Sequence, residues 1–135
     1  MSALDDALTR IGDRWTLLVV DALLDGPRRF VDLSTEVGGI APNVLTARLR
    51  QLEADGLVHA APYSERPVRL AYELTDPGRR LADALALLAT WGAGLSQRPG
   101  EVHHGACGST LEARLWCPTC DRPVGAIESD ADIRL

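Results

Sequence analysis

The residues best suited to chemistry stand together near the C-terminus, in HHGACGSTLEARLWCPTC, residues 103–120. All three cysteines and two of the three histidines fall there. His104-x2-Cys107 is followed, nine residues on, by Cys117-x2-Cys120. Two such pairs suit one tetrahedral Zn2+: each tight turn offers two ligands, and a hairpin brings the turns together, as in a zinc ribbon. Gly108 after Cys107 permits the sharp backbone of a knuckle. Asp121 stands at the matching place after Cys120, where a second glycine is common. TLEARLW, residues 110–116, alternates well enough for a short strand. The Cys3His set would fill all four positions with protein, which makes a structural clip and not a catalytic centre. A segment of about twenty residues cannot fold on apolar burial alone, and a metal would supply the missing stability. His103, at x3 spacing, is the rival fourth ligand; the symmetry of the two pairs favours His104. Redox chemistry at Cys117-Pro-Thr-Cys120 is a second alternative. Such a dithiol normally opens a helix after a strand in a βαβ unit, and the sequence contains no such unit.

The remaining composition fits a soluble globular protein. The chain has 135 residues, 46% of them hydrophobic, enough for one domain with a core and a small appendage. Met1–Asp6 has no basic region before an apolar run, so no signal peptide is expected. The most apolar stretch, residues 81–95, is too short for a membrane span and contains Asp83. A cytoplasmic protein with reduced thiols and no membrane partner is the expectation. The net charge of −5 does not advertise a nucleic-acid binder, but its distribution is uneven. Residues 27–80 hold eight Arg against seven acids, and the rest of the chain holds six Arg against twelve. All fourteen basic residues are Arg, a bias that codon usage explains before function does.

Leu4, Ala7, Leu8 and Ile11 form a helical stripe, capped by Ser2. Residues 15–26 read as a second, mostly buried helix ended by Gly26-Pro27. Residues 30–37 give a short third helix with Phe30, Leu33 and Val37 on one side. Pro42 suits the first turn of a fourth helix, with Leu45, Leu49 and Leu52 as its apolar stripe. Residues 57–63 and 69–75 read as strands around a turn at Pro67. His59 there reads as an ordinary strand residue. Thr75-Asp76-Pro77 starts a fifth helix reaching about Leu95. Residues 96–101 are a linker, 102–124 the ribbon-like segment, and 125–135 an acidic tail without pattern.

The order predicts a mainly α (α+β) protein: a winged helix-turn-helix, with extra helices at both ends and a small C-terminal zinc-ribbon-like hairpin. The third and fourth helices form the helix-turn-helix, joined through GGIAP, and the hairpin is the wing. At about 100° per residue, Asn43, Ala47 and Arg50 lie opposite the leucine stripe, with Thr46 at the flank. In such a motif that face enters the major groove. Asn43 suits adenine, Arg50 guanine or phosphate, and the Thr46 methyl thymine. Arg48, nearer the packed edge, suits a phosphate or an intramolecular ion pair. Arg66 and Arg69 on the wing suit a minor groove or flanking phosphate, and Arg28 and Arg29 are further phosphate candidates. Alone, such a face is an ordinary solvated one; the helix before it and the hairpin after it favour the DNA-reading role.

IGDRWTLLVVDALLDGPRRFVDL, GIAPNVLTARLRQLEADGLV, YELTDPGRRL and ATWG together resemble the HxlR-type winged-helix regulators, relatives of the MarR type. The resemblance covers roughly residues 8–95. It implies a homodimeric bacterial transcription factor, leaning towards repression, that binds double-stranded DNA at a palindromic operator. Many such proteins respond to a small-molecule effector or a reactive electrophile. Thiol-sensing members carry a cysteine about a dozen residues before the Trp. Here that region is MSALDD, so a switch at that position is ruled out.

An all-round apolar fifth helix should be buried, and the neighbouring domain covers only one side. Leu85, Leu88, Trp91 and Leu95, joined by Leu4, Leu8 and Ile11, are therefore expected at a two-fold interface. Trp15 reads as core. An enzyme is not expected, for want of a nucleophile–base pair, a phosphate loop or an open metal site. The alternative function is a protein-interaction module that uses winged helix and ribbon without reading DNA.

Overall fold

A computed structural model of the chain describes residues 1–96 and 102–124. Most of the expected linker and the whole tail thus lie outside the described residues. The elements run α1 (Ala3–Ile11), α2 (Arg14–Leu24), β1 (Arg28–Arg29), α3 (Phe30–Glu36), α4 (Pro42–Ala54), β2 (Val58–Glu65), β3 (Val68–Leu74), α5 (Asp76–Arg79), α6 (Ala82–Ser96), β4 (Leu115–Cys117) and β5 (Arg122–Val124). They divide into two compact units, one gathering Ala3–Leu85 and the other everything from Ala86 on. The division falls inside α6.

In the first unit, α2, α3 and α4 form the core cluster, backed by an antiparallel sheet of order β1-β3-β2. Its core takes Val19, Val20 and Leu23 from α2, Leu33 from α3, and Leu45, Leu49 and Leu52 from α4. Val37, Ile40, Val58 and Leu74 complete it. Each full burial of such a side chain contributes about 1.5–3 kcal/mol. Trp15 packs on this core only partly buried, with the Arg14 guanidinium 4.7 Å from its ring centre.

Asp13 starts α2 in a way the sequence reading missed. Its carboxylate accepts the backbone N–H groups of Trp15 and Thr16, and the buried Thr16 hydroxyl as well. Burial pushes that carboxyl up, but the Thr16 bonds and the nearby Arg48 guanidinium outweigh it and hold it below its ordinary value. Two further departures concern local structure. Arg28-Arg29 forms a two-residue strand paired with Tyr72 and Ala71 of β3. The expected fifth helix is two: α5 stops at Arg79 and α6 begins at Ala82.

The tie that holds α5 to the sheet bears on where the expected fifth helix breaks. Thr75 caps α5 through Gly78 N–H, while its own hydroxyl donates to Gly56 O at 2.6 Å and its N–H to Leu57 O at 3.0 Å. Gly78 is buried against that same carbonyl: a Cβ there would lie 2.2 Å from Leu57 O and 3.1 Å from Leu74 Cδ2. Helix propensity alone would make Gly78→Ala stabilising by ~1 kcal/mol. The contact with fixed backbone reverses the sign, and a net loss of about 1–3 kcal/mol is expected in urea unfolding. A neutral or more stable variant would mean that α5 moves off the sheet without cost.

Of the second unit, α6 carries large exposed side chains: Leu87, Leu88, Trp91 and Leu95. Among the described residues no helix is long and apolar enough to cross a membrane.

Candidate nucleic-acid interface

Helix α4 is built to present one face while burying the other. Pro42 occupies its first turn, where the missing N–H costs nothing. Gly39, at φ +84°, makes the turn from α3 in a conformation that L side chains rarely adopt. Leu45, Leu49 and Leu52 are all at most 1% exposed. On the opposite side Asn43, Ala47 and Arg50 are exposed and Thr46 is half-buried. The Thr46 hydroxyl donates to Pro42 O at 2.9 Å, so it serves the helix backbone. The structure thus brings Asn43, Thr46, Ala47 and Arg50 onto one surface of one helix.

The other arginines sort by what they already hold. Arg48 Nε is buried 3.0 Å from Asp13 Oδ1, close enough for an ion pair though not aligned for a hydrogen bond. It ties α4 to the start of α2. Arg28 donates from Nε to Glu36 Oε1 at 2.9 Å and towards the carbonyls of Gly26 and Pro27. Arg29 grips Asp32 with two donors at 2.8 Å each. That pairing, with Tyr63 beside it, holds the Arg29 guanidinium well above its ordinary value and lowers Asp32 to about 2. Arg28 and Arg29 thus shape the start of α3, and any phosphate contact they make would compete with these carboxylates. Arg66 and Arg69 flank the β2–β3 turn and are exposed, as is Val68 between them. Tyr63, on β2 and 49% exposed, stands beside Arg29 and is a further polar side chain open to a ligand. It escaped the sequence reading because the alternation of a strand does not reveal which face meets a ligand.

The cysteine segment forms two small hairpins. In the first, His103 bridges Thr110, and Leu111 N–H donates to Val102 O at 2.6 Å. In the second, β4 pairs with β5. Each ligand pair sits at the turn of its own hairpin, where the sequence reading expected a single strand joining two turns. Residues 111–114 have no regular structure. The Ser109 hydroxyl and N–H, with His104, lower the Cys107 thiol to about 7. The Cys120 N–H and thiol lower Cys117, and Cys117 in turn raises Cys120. Among the described residues, no three His, Cys, Asp or Glu side chains come close enough together to hold one ion.

A helix-turn-helix with a basic wing defines a class of DNA-binding regulator, and comparison with known proteins places the chain within it. The profile of the HxlR-like helix-turn-helix family matches residues 10–99, and the chain belongs to that family. It is therefore a transcriptional regulator of the HxlR/MarR type. It is 38% identical, over 124 residues, to the uncharacterized HTH-type transcriptional regulator Rv3095 of Mycobacterium tuberculosis H37Rv, covering 89% of this chain and 78% of that one. That coverage leaves about 15 residues of this chain unmatched, so the likeness takes in residues 16–120 wherever it begins, the cysteine segment included. Among solved structures, a transcriptional regulator of the MarR family from Enterococcus faecalis V583 matches with a TM-score of 0.62 and 41% identity, over 70% of this chain and 86% of that one. The redox regulator HypR in its oxidized form matches with a TM-score of 0.65 and 32% identity, over 69% and 96%.

Proposed function

We propose that the protein is a homodimeric, sequence-specific repressor in the cytoplasm that grips a palindromic operator. Asn43, Thr46, Ala47 and Arg50 enter the major groove, and Arg66 and Arg69 reach the flanking backbone or minor groove. The observation that carries this reading is the division of α4: a leucine face at most 1% exposed, opposite an exposed Asn–Ala–Arg face. The half-exposed Leu4 and Leu8 on α1 in the first unit, and the exposed apolar side chains of α6 in the second, each offer apolar surface to a second copy. A two-fold pair presents two reading helices about one DNA turn, ~34 Å, apart. The overall negative charge is compatible with this, because affinity follows the local field within about 8–10 Å at physiological salt.

The test is a fluorescence-anisotropy titration with duplexes from upstream of the protein's own gene, beside a scrambled duplex, at several salt concentrations. Tight, selective binding with a steep salt dependence is expected. Arg50→Ala should weaken the specific complex by about 1–3 kcal/mol, roughly 5- to 150-fold, and leave scrambled-duplex binding nearly unchanged. An effector of the kind the family resemblance implies would appear as a compound that shifts the midpoint. No selective binding to any genomic fragment would move the protein to the interaction class, in which wing and ribbon dock another protein.

A further inference from the structure

We propose that His104, Cys107, Cys117 and Cys120 form a tetrahedral Zn2+ site that locks the two hairpins of residues 102–124 into one ribbon. The site lies beyond the matched family profile, which ends at residue 99.

Each half of the site is already shaped for the metal. His104 Nδ1 stands 3.3 Å from Cys107 Sγ. Two ligands on one tetrahedral zinc, with bonds of about 2.0 and 2.3 Å, must stand roughly 3.6 Å apart. The first pair is therefore within a few tenths of an ångström of a tetrahedron edge before any ion arrives. In the second pair Cys120 N–H points at Cys117 Sγ at 3.5 Å. Such N–H donors steady a coordinated thiolate from outside the metal shell.

The backbone carries the same signature twice. The residue just after the second ligand of each pair has a left-handed conformation, Gly108 at φ +71° and Asp121 at φ +52°. Asp121 is the one non-glycine residue with positive φ among those described. Aspartate tolerates that region better than most residues, yet an isolated excursion needs a cause. A knuckle that folds both side chains of an x2 pair towards one point supplies it. The structure also separates the two histidines. His103 lies in the bridge with Thr110, its Nδ1 3.2 Å from Gly108 O, while His104 sits at the turn with its ring at the thiol.

What the metal adds is convergence of the halves. The two hairpins are joined by residues 111–114, which have no regular structure. Four extended residues reach at most ~13–14 Å, enough to lay one turn against the other. Leu111, Leu115 and Trp116 are exposed. Each hairpin alone has too little apolar surface to hold the segment closed, and a two-stranded hairpin is marginal in water. Metal binding would supply that free energy directly. Four protein ligands leave no open position, so the ion has a structural role.

The experiment uses the full chain, purified under reducing conditions with zinc supplied, then dialysed. One Zn2+ per chain by elemental analysis is expected. Replacement by Co2+ should give intense tetrahedral d–d bands and a near-ultraviolet thiolate-to-metal transition. Cys117→Ser and His104→Ala should each reduce bound zinc and lose the tetrahedral Co2+ spectrum, whereas His103→Ala should retain both. Circular dichroism should show the helical unit, whose core uses no residue of this segment, folded in every variant. Zinc far below one per chain, or a weak octahedral Co2+ spectrum, would overturn the proposal. An intact mass two hydrogens short, with one titratable thiol remaining, would assign the second pair to a disulfide instead.

Discussion

Replacing Leu88 and Trp91 together by glutamate should lower operator affinity by about 10²- to 10⁴-fold, because it removes the second reading helix from each complex. Leu88 is 52% and Trp91 68% exposed in the single chain, so neither substitution opens a cavity in its core. In a two-fold dimer both would be buried, and two pairs of glutamates would face each other across a desolvated surface. A single chain must then bind one half-site without the high effective concentration that the linked second half supplies. Sedimentation equilibrium gives the assembly state, and anisotropy on whole and half operators gives the affinities. A variant that sediments as a dimer and binds as wild type does would place the interface elsewhere.

Leu49→Ala should destabilise the folded chain by about 2–5 kcal/mol, the cost of deleting a buried leucine and keeping part of its cavity. Leu49 is 1% exposed on α4, which packs against both α2 and β2. Packing of α4 against two separate elements limits collapse around the void. The substitution changes no charge and no residue of the outward face. At temperatures where the variant remains folded, its DNA affinity should therefore stay within about threefold of wild type, whereas Arg50→Ala has the opposite profile. Urea unfolding followed by circular dichroism, beside the anisotropy titration, separates the two. A loss under 1 kcal/mol would mean that α4 is packed more loosely than its burial indicates.

Much of α4 was legible before any coordinates. The spacing of Leu45, Leu49 and Leu52, Pro42 at the start and Asp55-Gly56 at the end placed the helix and its outward face together, because one period governs both. Thr75 as a cap and the strands on either side of Pro67 were local patterns of the same kind. All are interactions among residues within a few positions of each other.

Features between distant residues were not legible. Nothing in Arg28-Arg29 announces a strand, since two residues have no periodicity; they pair because the chain brings them beside Tyr72 and Ala71. That Arg48 already holds a carboxylate depended on Asp13, thirty-five residues earlier, arriving beside it, whereas Arg29–Asp32 and Arg28–Glu36 are pairs within one short stretch of chain. Asp13 could have been found, as a helix-capping type one residue before the helix start, but its partner Arg48 could not. The break between α5 and α6 was hidden for a similar reason. A run of alanines and leucines favours one continuous helix, and the short helix is held by the approach of Gly78 to the Leu57 carbonyl, twenty-one residues away in sequence. Backbone period and side-chain type were enough to place α1 to α4, the two wing strands and the face α4 presents, because each of these rests on residues close together in the chain. Folding in three dimensions was needed to set Arg48 against Asp13 and to break the last helix, because those contacts join residues far apart along the chain.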